Sequence, residues 1–229
     1  MAAHPRGPSI LALLTAALLV GTVWGVSAQT PVPPERWGDH LTLEVWSIAD
    51  RIIHGDEPVE DRLLREARYT ISGMIYGFEF VYTPEYPARK VDRYFTLEPT
   101  GQIPWGDTRL HLRDLRDERT TLYGLIDYEL SENDRIRLRS WRNSDVERAA
   151  GHGAAPLLDG LDGKIAAIED AVHHALREHL RDRYFNRPRE VTGTVVLREP
   201  PRIRTRSGMY EAQVLLYIHI RDVREYLAF

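Results

Sequence analysis

Apolar residues recur every three to four positions between Leu161 and Phe185. Leu161, Ile165, Ile168, Val172, Ala175, Leu176 and Leu180 fall on one side of a helix, and charged residues fall on the other. The stripe is wide enough to cover a sheet. Asp162 is placed to cap the helix. Asn186 and Pro188 close it, because proline cannot donate a backbone hydrogen bond and disfavours a helical residue before it. The two runs that follow, Val191–Arg198 and Met209–Ile220, have the composition of strands.

Toward the N-terminus the same patterns predict two more helices. The first is capped by Asp39 and carries Leu41, Val45, Ile48, Ala49 and Ile52 at helical spacing, with Gly55 just past its end; a strand reading of Leu41, Leu43 and Val45 competes. The second starts at Pro58, has Glu57, Glu60 and Asp61 near its positive end, and buries Val59, Leu63, Ala67, Ile71 and Met74. After Gly77 the period changes to two. Phe78, Phe80 and Tyr82 form one strand, and Val91, Arg93, Phe95 and Leu97 a second. A meander follows through Leu110, Leu112, Leu122, Ile126, Tyr128, Leu130, Ile136 and Leu138. A hairpin loop at Glu132-Asn133-Asp134 would set Leu130 against Ile136, Glu129 against Arg137 and Asp127 against Arg139, pairing apolar with apolar and acid with base. Residues 143–160 read as a loop.

The expected fold is α+β, an antiparallel sheet of about seven strands in hairpins and a meander, packed by two or three amphipathic helices. Residues 39–229 read as one domain, with a weak helix-hairpin duplication over 58–98 and 161–220.

The chain opens with His4 and Arg6, an apolar run from Ile10 to Val20, and Val26-Ser27-Ala28 before Gln29, the order of a secretory signal cleaved after Ala28. Residues 10–26 fall short of the roughly 20 that span a bilayer, so a membrane association would arise only through an uncleaved signal. Residues 29–38, with prolines at 31, 33 and 34, form an extended leader. Cysteine is absent, which excludes disulfides, so an exported domain must rest on its core. The net charge of −4 is not that of a nucleic-acid binder.

Candidate chemistry is sparse. Arg135, Arg137, Arg139 and Trp141 share a face if they lie on a strand, and Arg202, Arg204 and Arg206 sit in the connection of the last hairpin. Together they would make a guanidinium patch for phosphate or carboxylate on another envelope protein or an anionic envelope polymer. The competing reading is a solvated sheet face neutralised by Asp127 and Glu129. His173 and His174 read as exposed and ion-paired. His179 and Arg183 project on the apolar side and reach water past the helix end. Tyr76, Phe78, Phe80 and Tyr82 read as core.

No metal site, cofactor motif, nucleophile elbow or phosphate-binding glycine loop is expected. The sequence therefore reads as a non-enzymatic periplasmic or cell-envelope module for binding or assembly. The alternative is an envelope-polymer hydrolase that draws carboxylates and a histidine, such as His152 or His111, from separate loops.

Overall fold

The computed structural model of the chain describes residues 38–50, 53, 57–142, 146–184 and 187–226. The leader through residue 37, Gly55 and Asn186 lie outside them. Among the described residues nine strands and three α-helices form an α+β fold with antiparallel pairing, as the periodicity predicts. The strands are β1 (His40–Ile48), β2 (Phe78–Thr83), β3 (Tyr94–Pro99), β4 (Leu110–Glu118), β5 (Thr121–Glu129), β6 (Glu147–Pro156), β7 (Glu190–Leu197), β8 (Arg202–Arg206) and β9 (Met209–Arg224). The helices are α1 (Val59–Ile75), α2 (Glu132–Ser140) and α3 (Gly160–Arg183).

The strands make two sheets. A small one runs β1-β5-β4, and a curled six-stranded one runs β3-β2-β7-β9-β6 with β8 also on β9. α3 covers β6 and β9, while α1 lies between β7 of the large sheet and the small sheet. One continuous core joins them: Ile168, Val172 and Leu176 of α3, Leu63 and Ile71 of α1, Phe78 and Phe80 of β2, and Leu41 and Ile126 of the small sheet are all buried.

Several local expectations are corrected. The segment from Asp39 is strand β1, not a helix. Leu41, Leu43 and Val45 alternate with exposed residues and pair with Tyr128, Ile126 and Gly124, so the buried side follows period two. The predicted hairpin at Glu132–Asp134 is helix α2. The Ser131 hydroxyl accepts the Asp134 N–H at 3.2 Å, and the Asp134 carboxylate accepts the Ser131 N–H at 3.0 Å, a capping box that outweighs the cross-strand pairs. Most of the expected loop over residues 143–160 is strand β6.

The fourth correction concerns the connection of the last hairpin, which is itself paired. β7 and β8 follow one edge of β9, interrupted at Glu199-Pro200-Pro201, and the chain turns at Ser207 (φ 51°) and Gly208 (φ 75°). Two positive φ values suit the right-handed twist of the flanking strands. At the start of α3, the cap position is Asp159, without a side-chain cap; Asp162 is exposed and pairs with Arg65 at 3.4 Å.

β6 can lie against α3 only because two residues facing the helix have no side chain. A Cβ at Gly151 would sit 2.0 Å from the Ala171 carbonyl oxygen, and one at Gly153 would sit 2.2 Å from the Ala171 nitrogen. Helix backbone cannot give way as a flexible side chain can. Gly151→Ala is therefore expected to destabilise the protein by about 3 kcal/mol or more, read by urea denaturation.

Candidate anion-binding groove

With α3 on the inner face of the large sheet, the other face of β8, β9 and β6 is free to carry polar side chains. The register places His152, Gln213 and Arg202 in one row across the three strands, and Ala154, Glu211 and Arg204 in the next. Arg206 follows opposite Met209. These rows line a groove of about 730 Å3. Arg204 pairs with Glu211 at 2.7 Å and Arg202 with Glu199 at 3.6 Å, while Arg206 makes no ion pair among the described residues. Asp170 reaches from α3 to the outer edge of β6 and accepts the Ala154 N–H at 3.1 Å. Both carboxylates in the groove are thus already engaged.

The other half of the predicted patch lies elsewhere. Arg135, Arg137 and Arg139 are on α2, where helical geometry breaks up the shared face expected of a strand. Arg135 pairs with Asp39 and Glu132, Arg139 with Glu132 at 3.0 Å, and Arg137 lies 5.1 Å over the Tyr76 ring. Trp141 occupies the C-cap position of the helix, half-buried. No hydrogen bond, ion pair or ring contact among the described residues joins these side chains to those of β8. His111, on β4, stands opposite Asp127 in the small sheet, and His152 lies in the groove.

The helix histidines also depart from expectation. His173 is buried against the rings of Tyr82 and Phe95, at 5.8 and 4.7 Å, because the β2–β3 hairpin folds over that face of α3. Burial holds its imidazole below the usual range, and Arg93 and Arg177 add to the effect. His179 and Arg183 do not simply reach water: both pair with Glu147 of β6. The residues missed in the sequence are Gln213 and Glu211. Their signal was the period-two alternation from Met209 to Gln213, which puts Glu211 and Gln213 on the face opposite Tyr210 and Ala212.

A sequence model of a protein family of unknown function matches residues 23–226, a span containing every described element. The chain belongs to that family. It is also similar to an uncharacterised protein of Treponema pallidum (strain Nichols), with 26% identity over 99% of each chain. No solved structure matches it. No group of histidine, aspartate and glutamate side chains among the described residues could hold a metal ion.

This family member also carries a charged group inside its core. Lys164 of α3 pairs with Glu66 of α1 at 2.8 Å, donates to the backbone carbonyl of Trp46 in β1, and places its ammonium 3.7 Å from the Trp46 ring centroid. Tyr210 of β9 closes the site, its ring 5.9 Å from the same nitrogen. Burial pushes the Glu66 carboxyl up and the Lys164 ammonium down, and each opposes the shift of the other. The Arg62 Nε and the Tyr210 hydroxyl are buried nearby without a hydrogen-bond partner among the described residues. At 3% and 8% side-chain exposure the pair is closed off from solvent. Lys164→Met alone leaves a buried carboxylate and is expected to cost about 3–5 kcal/mol in chemical denaturation, whereas Glu66→Leu/Lys164→Met together should recover most of that loss.

Proposed function

We propose that the protein is a non-enzymatic module of the periplasm or cell envelope that binds an anionic envelope polymer along the groove on its outer sheet face. The observation that carries this reading is the ladder of Arg202, Arg204 and Arg206 in that groove. Alternate residues of a strand stand about 7 Å apart, so the guanidiniums form a regular row of cations suited to repeating negative groups. Glu199 and Glu211 pair with Arg202 and Arg204, and Arg206 makes no ion pair among the described residues. An acidic partner protein is the competing occupant.

Export is supported by the signal-like order of residues 1–28. Among the described residues no helix is long and apolar enough to cross a membrane. A second reading, an envelope-polymer hydrolase, has in its favour that His152 shares the groove with Asp170 and Glu211. The engagement of both carboxylates with protein groups favours binding over catalysis.

On a phosphocellulose column the purified protein should elute at markedly higher salt than Arg204→Ala/Arg206→Ala. Identical elution of the two would remove the groove reading. Turnover of an envelope polymer that His152→Ala abolishes would bring the hydrolase forward. Mass spectrometry of the protein recovered from the envelope fraction should find Gln29 at the N-terminus; retention of residues 10–26 would point instead to a membrane anchor.

A further inference from the structure

The β2–β3 hairpin, the last turns of α3 and the chain leaving that helix enclose a second cavity, of about 470 Å3, which shares no lining residue with the groove. Tyr82 comes from β2, Arg93 from the segment before β3, Arg177, Arg181 and Tyr184 from the end of α3, and Arg187 from beyond it. Four guanidiniums thus meet two carboxylates, Glu85 and Glu178. Glu178 is bound to Arg177 at 3.1 Å and to Arg181 at 2.6 Å. Arg187 donates to the Glu85 backbone carbonyl at 2.8 Å and lies 5.8 Å over the Tyr86 ring. Arg93 makes no hydrogen bond or ion pair among the described residues.

Arginines in the last turns of a helix have an ordinary role, offsetting the negative end of its dipole. That role accounts for Arg181, in the last turn, while Arg177 sits further back along the helix. It does not account for Arg93 and Arg187, which arrive from other segments and bring their charge to the same hollow. The positive field there reaches the buried Tyr82: burial raises its hydroxyl pKa, and Arg177, Arg93 and Arg187 oppose the rise. The same Arg93 and Arg177 disfavour a proton on His173 beneath.

We propose that this cavity binds a small phosphomonoester, its phosphate held by Arg93, Arg177 and Arg187 and its organic body resting on Tyr82, Leu180 and Tyr184. Guanidiniums that converge from three separate segments match a tetrahedral dianion with three terminal oxygens. A carboxylate offers only two, in one plane. The volume is that of a small-molecule site, with Tyr82, Leu180 and Tyr184 supplying apolar surface beside the charged groups. The inference does not depend on the groove.

Isothermal titration of the purified protein with phenyl phosphate at low ionic strength tests it, with benzoate as the planar monoanion of similar body. Saturable binding of phenyl phosphate at least tenfold tighter than that of benzoate is expected. Arg93→Ala and Arg177→Ala should each weaken it at least tenfold, while Arg204→Ala leaves it unchanged. Arg93→Ala breaks no ion pair among the described residues and should keep the wild-type melting temperature, so its loss of affinity reads binding rather than folding. No saturable binding of phenyl phosphate, equal affinity for benzoate, or an unaltered affinity in Arg93→Ala would overturn the proposal. An equal loss in Arg204→Ala would do so as well. Failure of the phosphocellulose experiment with these results intact would count against the groove alone.

Discussion

A single ammonium ties the layers of this protein together. Lys164 leaves α3, meets Glu66 on α1, and ends against the backbone and ring of Trp46 on β1, with Tyr210 of β9 at its side. Helices α1 and α3 and both sheets therefore contribute to one buried constellation. A charge removed from water is tolerable only when it is paired and its donors are used, and here the carboxylate, the carbonyl and the aromatic face serve that need. The carbonyl and ring of Trp46, meeting the Lys164 ammonium, fasten the β1 edge of the small sheet to α3.

The second constraint is the closeness of β6 to α3. Gly151 and Gly153 let the strand backbone come against the helix backbone, which leaves room for nothing larger between them. Closure of this side has a consequence for the opposite one. With every inward position on β6 and β9 used for packing, the outward positions are released from the core and can carry His152, Gln213, Glu211 and the β8 arginines. The groove exists because the inner face is fully occupied.

The arginines illustrate how little a cation says until its neighbours are known. Arg135 and Arg139 are tied to Asp39 and Glu132, Arg183 to Glu147, and Arg109 to Asp107 and Asp134. The exposed pairs among these contribute little to stability, whereas Arg109 meets the buried Asp134 carboxylate. Arg206 on β8 and Arg93 beside the β2–β3 hairpin make no ion pair among the described residues.

Much of the architecture was legible in the chain. The long helix, the helix after Pro58, the alternation of Phe78, Phe80 and Tyr82, and the strands after Glu190 all bury the residues their periods select, because a one-sided apolar pattern can be satisfied in only one secondary structure. Short segments were another matter. Leu41 to Ile48 fits both periods, and its pairing with β5 decided between them. Ser131 to Ser140 has an acid-base pattern that suits a hairpin, yet a local capping box closes a helix sooner than a distant strand can pair. β6, poor in large apolar residues, gave no strand signal at all; its smallness is what a helix backbone pressed against it requires. The arginine groups were decided only in three dimensions, since the convergence of Arg93, Arg177 and Arg187, like the separation of α2 from β8, depends on chain reversals that no spacing along the sequence records.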